Sequence, residues 1–183
     1  MNFLPLEIPD VILIEPQVYG DDRGFFLETW SECVFAEAKI PASFVQDNWS
    51  RSARGVLRGL HYQVQHSQGK LVRCVRGEVF DVAVDIRRSS KHFGCWVGQI
   101  LSEENKLAMW VPPGFAHGFL TLSEIADFQY KCTDIYHPQS ERTISWNDPE
   151  IGVEWPLTEE LQVQLSGKDA QHGVSLQNSE CFE

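Results

Sequence analysis

The sequence predicts an all-β fold, an antiparallel sandwich or jelly-roll barrel with a few short helices. Short β-branched and aromatic runs follow one another along the chain, and turns rich in Gly, Pro, Asn and Asp separate them. The regular alternation of strands and helices that marks a parallel sheet is missing. At 183 residues, we expect one domain covering residues 1–183, and a barrel of this class can hold a small ligand between its sheets.

The clearest predicted strand covers residues 78–86, where the side chains alternate strictly between two faces. Phe80, Val82, Val84 and Ile86 share one face, and Val79, Asp81, Ala83 and Asp85 share the other. A period of two over this length is a strong strand signal. The other predicted strands are residues 11–14, 24–29, 71–75, 96–101, 107–111, 118–122, 126–133 and 143–146, with turns at 20–22 and 76–77. We expect residues 11–14 to form an edge strand that a partner subunit covers.

Helical patterns are few. Residues 30–39 form the best candidate, which Pro41 would end because the residue before a proline disfavours the helical conformation. A second short helix is predicted at residues 158–164. The polar segment that follows, residues 165–169, is expected to be a solvated turn.

The charge is distributed unevenly. The net charge of −11 argues against a nucleic-acid-binding protein. Residues 51–91 nevertheless hold nine of the fifteen basic residues and only three of the 26 acidic ones. Such a basic island can attract an anionic ligand locally. The alternative is that these charges only keep strand edges soluble.

Composition also bears on location. No apolar run approaches the length needed to span a bilayer, and the first ten residues hold two acids and no basic residue, unlike a signal peptide. Five scattered cysteines without a Cys-x-x-Cys pair argue against a disulfide framework or a zinc ribbon. We therefore expect a cytoplasmic protein without membrane contact.

The first segment with catalytic potential is residues 58–63, which contains Arg58 and His61. A histidine can act as a general base near neutral pH, and an arginine can bind a phosphate through two hydrogen bonds. In an ideal strand these two residues would face opposite sides. Both can reach one pocket if Gly59 marks a bulge or bend, or if the ligand wraps the sheet edge. The alternative for His61 is a hydrogen-bonded structural residue.

Two further segments supply polar groups. The Pro-Pro-Gly turn at residues 112–114 leads into His117, which could face a cavity beside Gly118, a residue that lets a ligand approach the backbone. In residues 127–133 the period of two places Phe128, Tyr130 and Cys132 on one face. If that face is inward, Tyr130 could serve as a general acid. The alternatives are a packed histidine and a buried tyrosine bonded to the backbone.

Taken together, these segments resemble the dTDP-4-dehydrorhamnose 3,5-epimerase family. The matching stretches extend from about residue 10 to residue 170, and their order and spacing make the resemblance specific. They are residues 22–28, 46–48, 58–63, 68–72, 77–85, 112–120, 130, 141–142, 146–149 and 168–169. The resemblance implies a cupin-type jelly roll, a homodimer, a dTDP-sugar substrate, no cofactor and no required metal.

The resemblance also implies residue roles. His61 would be the base, oriented by Asp169, and Tyr130 would be the acid, while Lys70 would lie near the keto oxygen of the substrate. Tyr136 would stack on thymine. The other implied contacts with the nucleotide sugar are Arg23, Glu28, Gln46, Asp47, Asn48, Arg58, His117, Glu141 and Lys168. The implied reaction inverts C3 and C5 next to a C4 ketone, because a proton at either carbon is acidified by the resulting enolate.

Three alternatives stay open at this point. A metal-dependent cupin could use His61, His66 and His117 with Glu78 or Asp81, although position 63 is Gln and the His-x-His pair of those proteins is absent. A sugar-binding module without activity could use the six tryptophans. A related mono-epimerase would act at C3 or C5 only.

Overall fold

The computed structural model describes residues 1–40 and 43–183, and strands dominate this part of the chain. Its strands are β1 (Asn2–Pro5), β2 (Ile12–Glu15), β3 (Val18–Asp21), β4 (Gly24–Leu27), β5 (Gln46–Ala53), β6 (Leu57–Gln63), β7 (Lys70–Arg76), β8 (Glu78–Asp85), β9 (Trp96–Ser102), β10 (Ala108–Val111), β11 (Phe115–Thr121), β12 (Ile125–Cys132) and β13 (Glu141–Thr143). Two short α-helices, α1 (Glu32–Glu37) and α2 (Gly167–His172), and two 3₁₀ turns (Pro138–Ser140 and Leu176–Asn178) complete the description.

Two antiparallel sheets form the jelly-roll barrel. The six-stranded sheet has the order β1-β2-β10-β7-β12-β5, and the five-stranded sheet has the order β13-β6-β11-β8-β9. Neighbours in each sheet are often distant in sequence, as expected when the chain crosses repeatedly between two sheets. The predicted all-β, cupin-type fold is therefore confirmed.

The interior of the barrel is an apolar cluster to which both sheets contribute. Met109 and Phe128 come from the six-stranded sheet, and Ala83 and Phe119 come from the five-stranded sheet. Strand β8 shows how the sequence builds this interior. Its Val79 and Ala83 face the interior cluster, whereas Val82 and Val84 belong to a second cluster, so the predicted alternation is confirmed.

The outer face of each sheet is covered by another part of the chain. The C-terminal segment packs Trp155, Leu161 and Leu176 over the five-stranded sheet. Helix α1 packs Phe35 over the six-stranded sheet, beside Trp110. Because both faces are covered near the barrel, strands such as β11 consist entirely of buried residues.

Four expectations about local structure need correction. Strand β2 is not an edge, because it pairs with both β1 and β10. Residues 158–164 do not form a helix, because Gln164 is held in an extended bridge beside Val56. Residues 165–169 are not a solvated turn but lead into helix α2. Residues 144–146, predicted as the end of a strand, follow β13. Pro41, which was expected to end the first helix, lies outside the described residues.

Strands β3 and β4 form a separate hairpin. It exposes Tyr19, Phe25 and Phe26, each with more than 60% of its surface accessible. An exposed aromatic patch of this kind often marks an interaction surface. Among the described residues, no helix has the length and apolar character to cross a bilayer.

Candidate active site

A cavity of about 370 Å³ opens into the barrel between the two sheets. Its wall includes side chains from strands β5 and β6, which lie at or next to a sheet edge, and from the inner strands β7, β11 and β12. The lining residues are Gln46, Asn48, Ser50, Arg58, His61, Tyr62, Gln63, Gln68, Lys70, His117, Phe119, Phe128, Tyr130, Tyr136 and Glu141. Most of the residues that the sequence selected for catalysis or binding therefore meet in one place.

A bulge in β6 allows Arg58 and His61 to reach this cavity together. His61 pairs with His117 and Arg58 pairs with Phe119, so three steps along β6 match two steps along β11. Gly59 sits in the bulge with φ of +138°, and a Cβ there would lie 2.6 Å from Gly118 Cα. The predicted bulge is thus confirmed. Gly118 takes part in the same close packing, because a Cβ there would lie 2.7 Å from the backbone oxygen of Arg58.

His61 is held by a buried carboxylate. Its Nε2 lies 2.5 Å from Asp169 Oδ1. Ser166, the N-cap of α2, donates its hydroxyl to the other oxygen of Asp169 at 2.9 Å and accepts a hydrogen bond from the Asp169 amide. Although burial opposes ionisation, the hydrogen bonds from His61 and Ser166 lower the pKa of Asp169. An ionised Asp169 keeps a proton on Nε2, which leaves Nδ1 of His61 as the free basic nitrogen.

A second histidine–aspartate pair lies beside the first. His117 Nε2 is 3.0 and 2.9 Å from the two carboxylate oxygens of Asp81. Asp81 is completely buried on β8, and burial raises its pKa above the usual value despite the contact with His117. The ring of His117 also stacks on Phe128. Both imidazoles therefore belong to the five-stranded sheet and face the same cavity.

Lys70 and Tyr130 face the cavity from the opposite sheet. Lys70 begins β7, and Tyr130 lies on the neighbouring strand β12. The lysine is only 9% exposed, and this burial lowers its pKa. Burial also raises the pKa of the Tyr130 phenol, which keeps its proton on at neutral pH. The imidazole of His61 and the phenol of Tyr130 thus project from different sheets.

A chain of hydrogen bonds organises the wall formed by β5. Asn48 donates to Cys132 Sγ at 3.6 Å, and Gln46 donates to Asn48 Oδ1 at 3.0 Å. The other end of the Gln46 amide accepts from the backbone N–H of Tyr136 at 2.7 Å. The position of Tyr136 is therefore coupled to the side chains that line the cavity.

Tyr136 is tied to Lys168 through Glu141. The Tyr136 hydroxyl donates to Glu141 Oε2 at 2.5 Å, and this bond raises the pKa of Tyr136 to about 12. The same carboxylate oxygen forms an ion pair with Lys168. Lys168 does not line the cavity itself, but it lies one residue before Asp169 and reaches the lining through Glu141.

Three further predicted contacts, besides Lys168, do not line the cavity of a single chain. Asp47 lies on the outer face of β5, where it pairs with Lys131 at 2.7 Å. Arg23 pairs with Asp21 at the tip of the β3–β4 hairpin, and Glu28 is exposed at its end. Roles for these three residues in substrate binding stay predictions.

The residues that a metal-dependent cupin or a sugar-stacking module would use are not brought together in the described part of the chain. His66, proposed as a metal ligand with His61 and His117, packs instead against His137. Within residues 1–40 and 43–183, no three His, Cys, Asp or Glu side chains are placed to hold a metal ion. None of the tryptophans in this part of the chain lines the cavity, as a sugar-stacking module would require.

Several lining or supporting residues were missed by the sequence analysis. Asp81 was considered only as a metal ligand, yet it is the buried partner of His117. The available signal was its place on the inward face of β8 between Val79 and Ala83, where an unpaired carboxylate would be costly. No pattern singled out Ser50 or Phe119 as part of the lining, whereas the period of two had placed Phe128 on the same face as Tyr130.

Comparisons with known proteins identify the family of the chain. Residues 5–177 match the family model of the dTDP-4-dehydrorhamnose 3,5-epimerases. The chain is 61% identical over 183 residues to the dTDP-4-dehydrorhamnose 3,5-epimerase of Pseudomonas aeruginosa, covering 100% of this chain and 99% of that protein.

Solved structures show the same similarity. The dTDP-6-deoxy-D-glucose-3,5-epimerase RmlC of Legionella pneumophila, in complex with dTDP-4-keto-L-rhamnose, is 56% identical with a TM-score of 0.94, covering 98% of this chain and 94% of that one. ChmJ, a 3'-monoepimerase of Streptomyces bikiniensis in complex with dTDP-quinovose, is 32% identical with a TM-score of 0.87, covering 94% and 87%. On the strength of the family match and these identities, the chain belongs to the dTDP-4-dehydrorhamnose 3,5-epimerase family.

Proposed function

We propose that the chain is a dTDP-4-dehydrorhamnose 3,5-epimerase, a cofactor-independent isomerase. It inverts C3 and C5 of dTDP-4-dehydro-6-deoxy-D-glucose and yields dTDP-4-dehydro-L-rhamnose for dTDP-L-rhamnose biosynthesis. Family membership and the 61% identity to a curated enzyme of this name support the activity. The observation that carries the mechanism is the projection of His61 and Tyr130 into one cavity from opposite sheets.

His61 is the base in this mechanism. The C4 ketone acidifies the protons at C3 and C5, because the carbanion formed by proton removal is delocalised as an enolate. Nδ1 of His61 removes the proton, while Asp169 holds the other nitrogen and stabilises the imidazolium that forms. When the substrate is bound, a general base must lie roughly 2.6–3.2 Å from the atom whose proton it removes, directly or through one water.

Lys70 and Tyr130 complete each inversion. The Lys70 ammonium stabilises the negative charge that grows on the C4 oxygen, and its burial strengthens this interaction because little water screens it. Tyr130 then delivers a proton to the opposite face of the sugar. Its raised pKa suits a group that must stay protonated until the enolate needs it.

The remaining polar lining binds the nucleotide. Tyr136 stacks on the thymine, with Gln46 and Asn48 beside it, and Arg58 binds the diphosphate. Glu141, Lys168 and His117 complete the contacts that the family resemblance implies. Of the basic residues in the island, only Arg58 and Lys70 line the cavity, so Arg58 is the cation of the island that we assign to the diphosphate.

We also propose that the enzyme is a cytoplasmic homodimer. The exposed aromatic hairpin β3–β4 supports a second copy as the group that covers it, because three aromatic side chains there are mostly accessible in a single chain. The same hairpin carries Arg23 and ends before Glu28, two implied substrate contacts that do not line the cavity of their own chain. A dimer that brings this hairpin to the partner's cavity would account for both facts.

The dimer gives a first prediction. We expect Phe26→Ser to shift the protein from dimer toward monomer at micromolar concentration and to lower turnover, because the polar side chain removes apolar contact area from the hairpin. Analytical ultracentrifugation measures the association, and Leu157→Ser serves as a control at another exposed apolar position. A wild-type monomer at micromolar concentration, or an unchanged dimer in the variant, would contradict the proposal.

The activity is tested by NMR in D₂O with dTDP-4-dehydro-6-deoxy-D-glucose, following deuterium at C3 and C5 separately. Label at both carbons with formation of the L-rhamno product supports double epimerisation. Label and inversion at one carbon would favour the mono-epimerase reading, which the 32% identity to the 3'-monoepimerase ChmJ keeps as the second candidate. Nucleotide-sugar binding without label would identify a binding module.

Tyr130→Phe gives a second prediction, which separates proton removal from proton return. We expect the variant to lose net inversion more than it loses solvent exchange, because His61 can still remove a proton and return it to the same face. Comparing the rate of deuterium entry with the rate of product formation measures the difference. Equal losses in both rates would count against Tyr130 as the acid.

A further inference from the structure

Ser50 has a hydroxyl that the protein itself does not use. It lies on the inner face of β5 between Asn48 and Ser52 and lines the cavity. Its Oγ is buried and has no hydrogen-bond partner among the described residues. Buried hydroxyls are normally paired, because leaving one unpaired costs the full desolvation of the group.

The neighbours of Ser50 show why its hydroxyl stays unpaired. Its cross-strand partner is Phe128, which stacks on Phe119 at 4.3 Å between ring centres. These two rings offer no hydrogen-bonding atoms. The next inward serine on β5, Ser52, is by contrast engaged by Arg58 Nε at 3.1 Å. The same strand face therefore holds Ser52, whose hydroxyl is hydrogen-bonded within the protein, and Ser50, whose hydroxyl has no partner among the described residues.

The surroundings also place Ser50 beside the groups that handle the substrate. Phe128 contacts both His117 and Tyr130, with ring centres 6.2 and 6.1 Å apart. Tyr62, another lining residue with a buried unpaired hydroxyl, differs because its ring belongs to the outer apolar cluster and packs on Phe182. A serine hydroxyl turns about one side-chain bond between three staggered positions, so Ser50 can meet a ligand oxygen without a change in the backbone.

We propose that Ser50 is a further substrate-binding residue, which donates its hydroxyl to an oxygen in the diphosphate–hexose part of the nucleotide sugar. Arg58, which donates a hydrogen bond to the adjacent Ser52, would hold a diphosphate oxygen within hydrogen-bonding distance of Ser50. Alternatively, His117 and Tyr130 would hold a hexose oxygen at that distance. Either oxygen is an acceptor for the same hydroxyl. The inference rests on the proposed function, since it takes a nucleotide sugar as the ligand.

Isothermal titration of Ser50→Ala with dTDP and with dTDP-glucose tests the proposal. Neither ligand carries the C4 ketone, so binding is measured without turnover. We expect Ser50→Ala to weaken dTDP-glucose binding by about threefold to tenfold, the range for one hydrogen bond. An equal loss for dTDP assigns the contact to the diphosphate, and a loss for dTDP-glucose alone assigns it to the hexose.

Thr121→Val is the matched control. Thr121 also has a buried hydroxyl without a partner in the described chain, but it does not line the cavity. Its replacement should leave both affinities unchanged. The melting temperature separates a binding role from a structural one, since Ser50→Ala should unfold no earlier than the wild type if its hydroxyl is unpaired in the free protein.

Unchanged affinity of Ser50→Ala for both ligands, or a clear loss of thermal stability, would overturn the proposal. These results differ from failure of the proposed function, in which the wild type would bind neither nucleotide and both proposals would fall. Weaker binding in Ser50→Ala with a wild type that binds but shows no epimerisation would retain Ser50 as a ligand contact and remove only the reaction.

Discussion

Replacing His61 by alanine should abolish measurable epimerisation and solvent exchange while leaving nucleotide binding intact. The imidazole is the base of the proposed mechanism, and general-base catalysis typically contributes about 10²–10⁴-fold to a rate. The side chain is one of several that line the cavity, and the residues proposed to bind thymine and diphosphate lie elsewhere on its wall. Turnover, deuterium entry at C3 and C5, and the dissociation constant of dTDP measure the three expectations.

The control for His61→Ala is His92→Ala. His92 lies in the turn between β8 and β9 and does not line the cavity, so its replacement should leave turnover unchanged. The turnover of Asp169→Asn should fall between those of these two variants. The amide can keep a hydrogen bond to His61, but it no longer stabilises the charged form of the imidazole. Substantial turnover in His61→Ala would remove His61 as the base, and loss of dTDP binding would indicate a structural role instead.

Replacing Lys70 by methionine should stabilise the protein and inactivate it. Burial lowers the pKa of Lys70, which means that the fold destabilises the protonated amine. The buried carboxylates of Asp169 and Asp81 form their close contacts with His61 and His117, and not with Lys70. Methionine has a similar length and no charge, so we expect a gain of about 1–2 kcal/mol in the free energy of unfolding at neutral pH. Loss of the oxyanion partner should lower kcat by about 10²–10³-fold.

The pH dependence of this stability gain has a definite sign. A lysine with a lowered pKa in the folded state costs stability while it is protonated, and the cost falls as the pH rises through the folded-state pKa toward the usual 10.5. The advantage of Lys70→Met should therefore shrink at alkaline pH. Lys91→Met, at an exposed lysine, should change neither stability nor kcat.

Urea unfolding at several pH values measures the stability of both lysine variants, and steady-state kinetics measures kcat. A less stable Lys70→Met protein would show that the ammonium is well compensated, with Asp81 as the obvious partner, since the two charges interact favourably. An active Lys70→Met enzyme would exclude Lys70 as the group that stabilises the enolate.

Local patterns in the sequence were sufficient to predict a strand where its side chains pack into apolar clusters. Strand β8 is the clearest example, because its alternation follows directly from the geometry of a strand between two apolar layers. Gly59 is another, because the opposite parity of Arg58 and His61 suggested an irregularity between them and glycine was the residue suited to provide it.

The same patterns failed where the surroundings of a segment determine its conformation. Strand β5 carries polar side chains on both faces, since its inner face lines the cavity and its outer face meets solvent, so it gave no strand signal. Residues 158–164 contain helix-forming residues, but pairing of Gln164 with Val56 and Gly55 holds that end of the segment extended. Asp169 looked like part of a solvated turn, and its burial became visible only through its bond to His61, 108 residues earlier.

The sequence by itself determined the fold class, the family and most of the cavity lining, because alternation, turn residues and the order of short motifs are local properties of the chain. The family resemblance implied Asp169 as the partner of His61, whereas only the tertiary structure decided the His117–Asp81 pair and the unpaired hydroxyl of Ser50. The His61–Asp169 contact depends on where helix α2 lies, and the His117–Asp81 contact depends on the pairing of β11 with β8. The projection of His61 and Tyr130 into one cavity depends on how the two sheets are stacked. Hydrogen bonds and burial are set by distances in space, and separation along the chain does not specify them.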